Sequence, residues 1–195
     1  MNSAVFACAT RTEARAAKRL GVRTAIVGIG ARGELPDSPV VSFGLAGGLR
    51  DDLACGEVLD ATRVVDESGA VLWEGAPLGV SGARPSTIVA VDELVDDPDA
   101  RRRLHERTGA DAADMESGAL ARSGRLTGCL RAVSDTPTRT LGPVGEMVGP
   151  DGRLRAGGIA RALTHPRRTG RAIADVRRAL HALRQACAGP EEVRA

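Results

Sequence analysis

The 195-residue chain predicts an α/β fold, a three-layer αβα sandwich around a mixed, largely parallel central sheet. Two observations lead there. Short apolar runs alternate with segments of helical spacing along most of the chain, the pattern of strands connected by helices that cover both faces of a sheet. The composition, 43% hydrophobic and 27% charged, is that of a packed globular protein and not of a disordered one. No internal repeat or linker divides the chain, so residues 1–195 are read as one domain.

The elements follow in order. Residues 4–9 form a short apolar run that reads as a buried strand. Residues 13–20 have helical spacing and stop at Gly21, suited to the left-handed position that closes a helix. Residues 24–29 and 40–45 are the next two strands. Residues 56–65 and 71–78 read as a strand pair around the turn Glu67-Ser68-Gly69. Residues 87–91 are another strand, and 98–108 a charged helix ending at Gly109. Residues 110–115 are short and extended, 117–125 are helical, and 129–133 are the last clear strand. Residues 136–151 are rich in Pro and Gly and read as a mobile loop. Residues 159–188 are helical, broken at His165-Pro166, within a basic helical C-terminal segment, 153–195.

Several functions are excluded early. Phe6, Phe43 and Trp73 are the only aromatics, too few for a base-stacking platform, so nucleic acid is not an expected partner. The net charge is only +2, and apart from residues 153–184 the two signs are intermixed. Cys8, Cys55, Cys129 and Cys187 form no CxxC pair and read as reduced thiols of a cytoplasmic protein. His105, His165 and His181 have no metal-site spacing, so no metal is expected. No apolar run reaches the roughly 20 residues that span a bilayer, and the N-terminus lacks the pattern of a signal peptide.

In such sheets ligands bind beyond the carboxyl ends of the strands. The polar residues just after apolar runs are therefore the candidates. They include carboxylates, hydroxyls and Gly-rich turns, but no His or Cys, so a Ser-His-Asp or Cys-His engine is unsupported. Gly28-Ile29-Gly30-Ala31-Arg32-Gly33 spells GxGxxG, but two prolines follow where a dinucleotide site needs a helix, and a Gly-rich turn is the better reading. Gly44-Leu45-Ala46-Gly47-Gly48-Leu49 offers backbone that a flat ligand can approach closely. Thr10-Arg11-Thr12-Glu13 is a capping box, and its Glu also faces the strand ends. Asp114-Met115-Glu116-Ser117 opens a helix, where acid is favourable, and a carboxylate there can also grip the two hydroxyls of a ribose. Ser134-Asp135 reads as a turn pair or as an acid with a hydroxyl to position it.

Taken in this order, these motifs, with Gly56-Glu57-Val58 and Arg131-Ala132-Val133-Ser134-Asp135, resemble the nucleoside phosphorylase and nucleosidase superfamily over roughly residues 3–135. Val91-Asp92-Glu93-Leu94-Val95 and the stretch from Thr108 to Ser117 look most like its hopanoid-biosynthesis branch, which acts on adenosylhopane. The resemblance implies cleavage of a purine from a ribose without a resident cofactor. Asp135 would be the general acid at the leaving base, positioned by Ser134. Glu13 would activate water. Glu116 would hold the ribose diol and Met115 would pack on the sugar. Ala46 and Gly47 would line the base. Leu94 stands where the family has an aromatic stacker, a duty otherwise left to Phe43. Ser42 and Leu45 replace an Arg and a Ser that grip phosphate in phosphorylases, which favours hydrolysis. Arg32 keeps phosphate open as a co-substrate. A homodimer is the implied assembly.

The C-terminal helix carries Ile173, Val176, Leu180 and Leu183 at helical spacing among arginines. It reads first as an amphipathic helix docked on the core. The alternative is an interfacial helix at the inner membrane face, in contact with anionic lipid and suited to a substrate with a triterpenoid tail. Methylthioadenosine, adenosylhomocysteine or a futalosine-type nucleoside are alternative substrates of the same chemistry. A nucleotide-binding module without turnover is the reading from a different class.

Overall fold

A computed structural model describes residues 4–147 and 155–188. Strand β1 (Val5–Cys8) is buried on every residue and lies between two parallel partners, β2 (Thr24–Ile26) and β3 (Val40–Gly48). Strands β4 (Val58–Val65), β5 (Val71–Glu74), β6 (Arg84–Ala90), β7 (Ala112–Asp114) and β8 (Leu126–Asp135) complete one sheet among the described residues. The order is β2-β1-β3-β7-β6-β4-β5, and β8 pairs with both β3 and β4. Five of its pairings are parallel and three antiparallel, which makes the sheet mixed and largely parallel as predicted.

The double pairing of β8 adds a feature to the predicted sandwich. Strands β3, β8, β4, β6 and β7 close a ring. Its inside is filled by Ala46, Leu59, Ala61, Ile88, Ala112, Cys129 and Val133, side chains small enough for a five-stranded enclosure.

Helices cover the remaining faces. Phe6, Cys8, Val41, Phe43, Leu130 and Ala132 meet Ala14 and Ala17 of α1 (Arg11–Lys18). The same cluster receives Ala179 and Leu183 of the long C-terminal helix, Pro166–Ala188. Ala7 and Val40, on the other face by strand alternation, meet Leu120 and Ala121 of the helix Ser117–Arg122. Leu104 of α2 (Pro98–Thr108) packs on Leu49, Val89 and Val91. In chain order the helix Ser117–Arg122 is α3, Pro143–Glu146 is α4, Ala156–Thr164 is α5 and Pro166–Ala188 is α6.

Four sequence expectations change. The strand predicted over 40–45 runs on to Gly48, and that over 129–133 spans Leu126–Asp135, so Asp135 ends a strand and does not open a turn. The strand over 71–78 stops at Glu74, because buried Asp60 takes the amides of Leu78, Gly79 and Val80 at 3.0, 2.9 and 3.3 Å. The loop expected to be mobile is fastened over its described part. Arg139 makes a two-pronged ion pair with Asp175 of α6 at 2.6 and 2.8 Å, and Asp96 accepts from the amides of Leu141 and Gly142 at 3.1 and 3.0 Å. Residues 148–151 of that loop, and 153–154 and 189–195 of the basic segment, lie outside the described residues.

The break at His165-Pro166 falls between α5 and α6 as expected. The apolar face of α6 is spent on the core through Ala172, Ala179, Leu180 and Leu183. This packing matches the first reading, an amphipathic helix docked on the core, while Ile173 and Val176 of the same stripe are half-buried. No helix among the described residues is long and apolar enough to cross a membrane. Leu183→Ala is expected to cost about 2–5 kcal/mol of stability, because the site is fully buried between helix and sheet. Arg177→Ala, on the exposed face, should stay within roughly 0.5 kcal/mol. Urea denaturation of both variants checks this, and equal midpoints would deny α6 its place in the core.

Candidate active site

The site is built where β1, β3 and β8 run out together. Thr10 caps α1 just beyond β1, and its hydroxyl accepts from the Glu13 amide. Oε2 of Glu13 answers by accepting from the Thr10 amide and hydroxyl at 2.8 and 2.9 Å, so the capping box is present. Oε1 is free for a second task and accepts from the Leu45 amide of β3 at 3.1 Å. A Cβ at Gly44 would stand 2.5 Å from Oε1, so this approach requires glycine there.

Beside it lies a buried cation. Arg131 of β8 is 1% exposed. Its Nε donates to Asp114 Oδ2 at 2.7 Å, its Nη2 to the same oxygen and to Ser42 Oγ, and its Nη1 to the Leu130 carbonyl. Asp114 ends β7 and turns its other oxygen to the amide and hydroxyl of Ser117, capping α3. Glu116, one turn-position later, caps nothing. Its Oε1 accepts from the Gly30 amide at 3.0 Å, and Gly30 holds the left-handed φ of 68° that presents this N–H. The structure thus sorts the acidic pair: Asp114 is structural, Glu116 is available.

Asp135 stands further along the same rim. Gly44 pairs with Arg131 and Gly47 with Asp135 in the β3–β8 register, so three residues of strand, roughly 10 Å, separate the two centres. Ser134 donates to Asp135 Oδ1, as expected of a positioning hydroxyl, and also reaches the Ala46 carbonyl at 3.3 Å. The second oxygen of Asp135 is held by Arg101 of α2, which is 0% exposed.

Burial dominates the proton affinities. It raises Glu13 above its ordinary value, against the Thr10 hydrogen bond and Arg131. It raises Glu116 to about 8, helped by Asp114 and Glu13 and opposed by Arg131. It raises Asp135, against the pull of Arg101. For Arg131, burial works against the cation, but Asp114 and Glu116 outweigh it. Burial also pushes the Cys8 and Cys129 thiols up to about 12, which leaves them poor nucleophiles. No cluster of three metal-ligating side chains exists among the described residues.

Glu13, Glu116, Ser134, Asp135, Ala46 and Gly47 therefore share the strand-end rim. Met115 sits partly buried beside the Leu49–Val91 cluster, and its carbonyl lies near Gly30. Leu94 is 47% exposed and packs toward Gly145 of α4. Phe43 is a correction. It is on the opposite face of β3 from Gly44, its ring 5.5 Å from that of Phe6 under α1 and α6, and it cannot stack on a ligand. Arg32 is exposed at its turn. Sequence reasoning gave no role to Arg131, Asp96 or Arg101. The one sign of Arg101 was its place three residues before Leu104, on the buried face of an otherwise charged helix.

No family model matches this chain, and no curated protein matches it. Solved structures do. A 5′-methylthioadenosine/S-adenosylhomocysteine nucleosidase from Helicobacter pylori, bound to butyl-thio-DADMe-Immucillin-A, superposes with a TM-score of 0.57 at 16% identity, covering 95% of this chain and 97% of that one. The futalosine hydrolase of Helicobacter pylori gives 0.61 at 15% identity, covering 95% and 96%. The Campylobacter jejuni 5′-methylthioadenosine/S-adenosylhomocysteine nucleosidase gives 0.56 at 15% identity, covering 97% and 100%. At these identities the likeness establishes the fold, including its mixed, largely parallel sheet.

The raised Glu116 carboxyl has a consequence for stability. The folded chain keeps a proton there that the unfolded chain loses above the ordinary carboxyl range. That contribution is complete at low pH and disappears as pH rises through about 8. The melting temperature of the wild type should fall across this window, and that of Glu116→Gln should fall less. Parallel melting curves for the two proteins from pH 5 to pH 9, roughly the span between the two values, would contradict the assignment.

Proposed function

We propose that this chain cleaves the N-glycosidic bond of a purine nucleoside with water as the nucleophile. The observation that carries the reading is the set of carboxyls on one rim: buried Glu13 and half-buried Glu116 around Arg131, and buried Asp135 at the end of the adjacent strand. The neighbours in structure space are named as nucleosidases and a hydrolase of adenosine-type and futalosine substrates, which supports the same chemistry.

In the step itself the bond from ribose C1′ to the purine nitrogen breaks, and its electron pair leaves with the base. Protonated Asp135 gives its proton to the base at N7 and so stabilises the leaving group. Ionised Glu13 takes a proton from water as the water oxygen bonds to C1′. Glu116 accepts from the ribose hydroxyls, for which it has lone pairs beyond the one taken by Gly30. Water is favoured over phosphate because the local cation is already committed: Arg131 is engaged by Asp114, Ser42 and a carbonyl.

The substrate is an adenosine-type nucleoside with a 5′ substituent. Adenosylhopane is favoured by the sequence motifs, and methylthioadenosine, adenosylhomocysteine or futalosine fit the fold equally well. A cavity of about 560 Å³ opens beside the chain that leaves Asp135, lined by Thr138, Thr140 and Leu141 with Arg167, Arg168 and Arg171. Pro98, Pro137, Pro143 and Leu141 give it an apolar wall beside those hydroxyls and guanidinium groups, so polar and hydrocarbon substituents both find matching contacts.

The test is release of free base from each of these nucleosides, with and without phosphate, for the wild type and Asp135→Asn. Phosphate-independent release that drops roughly 10²–10⁴-fold in a variant that still unfolds cooperatively is the expected outcome. Strict phosphate dependence would reduce Glu13 to a helix cap. No release from any nucleoside would leave the non-catalytic binding module as the reading.

A further inference from the structure

The guanidinium of Arg101 is a second buried cation, and every one of its nitrogens is engaged. Nε donates to the Val95 carbonyl at 2.7 Å, Nη1 to the Gly48 carbonyl at 3.2 Å, and Nη2 to both Asp135 Oδ2 and Asp96 Oδ1, the latter at 3.4 Å. Its neighbours on α2, Arg102 and Arg103, are in solvent. An arginine is buried at this cost only where planar, forked donors are matched by acceptors. The acceptors come from three places: the end of β3, the connection from β6 to α2, and the end of β8. Asp96 carries the link further, because its carboxylate also takes the amides of Leu141 and Gly142.

We propose that Arg101 is a positioning residue for Asp135: it fixes that carboxyl over the Gly47 backbone and, through Asp96, ties it to the loop that follows β8. The inference rests on the base-cleavage reading for the role of Asp135, but the contacts stand without it. A Cβ placed on Gly47 would meet Asp135 Oδ2 at 3.2 Å and Arg101 Nη2 at 3.5 Å, so acid and guanidinium lie side by side on the floor expected to receive the base. Ser134 holds one carboxyl oxygen and Arg101 the other, which leaves the carboxyl one orientation. The titratable groups that feel this centre are Asp96 and, from the β3–β4 connection, the Cys55 thiol, which also senses Arg139, Asp175 and Arg178. Arg101 lowers the proton affinity that burial raises, so its loss moves Asp135 upward.

The experiment compares wild type, Arg101→Gln and Arg101→Lys in base release across pH, with melting temperatures for each. An acid that must carry its proton loses activity as pH rises through its midpoint. In Arg101→Gln that limb should move to higher pH by about 1–3 units, the effect of removing one adjacent opposite charge. Its kcat should fall roughly 10–100-fold with KM changed far less, since a misplaced acid hurts the chemical step and not binding. Arg101→Lys keeps the charge without the fork, so it should restore the limb and only part of kcat. A folded Arg101→Gln with wild-type kcat and pH limb overturns the proposal. If Arg101→Gln does not fold, Arg101→Lys decides: wild-type kcat in that variant overturns it, and a lowered kcat on an unmoved limb supports it. If the wild type releases no base at all, the cleavage reading fails separately. The ¹³C resonance of the Asp135 carboxyl, assigned by its loss in Asp135→Asn, then still titrates. A midpoint equal in wild type and in the folded Arg101 variant with the lost charge overturns the hold, and an upward shift supports it.

Discussion

The structure turns on one buried guanidinium. Arg131 sits inside the sheet with three carboxyl groups, Asp114, Glu116 and Glu13, in its electrostatic reach. One cation cannot neutralise two buried carboxylates and a half-buried third, and an unpaired buried charge costs several kcal/mol. Geometry decides which acid is used. Asp114 takes two guanidinium nitrogens and caps α3 with its other oxygen, so it is fully employed. Glu116 and Glu13 are left with weaker partners, and burial pushes both toward the protonated form. Carboxyls with raised proton affinity at a strand-end rim are what acid–base chemistry near neutral pH requires.

The backbone of β3 makes this crowding feasible. Its last turn-out is Gly44-Leu45-Ala46-Gly47-Gly48, and the two carboxyls that matter lie on the glycine positions. Any side chain at Gly44 would evict Glu13 from the Leu45 amide. The closed ring of β3, β8, β4, β6 and β7 then holds those positions fixed, since a strand paired on both edges cannot shift register without moving its whole side-chain set. The two ion pairs differ in design. Arg131 is satisfied by an acid with no other task than capping, whereas Arg101 is satisfied by Asp135 itself.

What was legible in the sequence follows from distance along the chain. The capping box of Thr10 and Glu13 and the pairing of Ser134 with Asp135 are local, and both are present. The alternation of strands and helices announced the sheet. Pairing of β8 with both β3 and β4 joins residues far apart in sequence, and no periodicity signals it. Asp114 and Glu116 were indistinguishable until Arg131 was placed beside one of them. Phe43 was misread because parity along β3 depends on which face Gly44 serves. Arg101 was hidden in a run of three arginines, of which only burial against Asp135 singles one out.

The placement of the aromatics constrains how a base would be held under the proposed reading. The chain has two Phe and one Trp. Phe6 and Phe43 pack on each other in the core, and Trp73 lies on β5 in the cluster around α3. No ring remains for the rim, and a stacked base forgoes roughly 1–3 kcal/mol that an aromatic partner would supply. Leu94, half exposed against α4, offers aliphatic contact in its place. Under the proposed reading, recognition of a purine would lean on polar groups, which discriminate strongly when a substrate leaves them unpaired. The missing stacking energy has to come from a part of the substrate remote from the reacting bond. The wall made by residues 137–143, fastened by Asp96 and Asp175, is the surface positioned to provide it. Under the proposed base-cleavage reading, selectivity would reside in the loop beyond β8, and the chemistry in the carboxyls that the sheet holds.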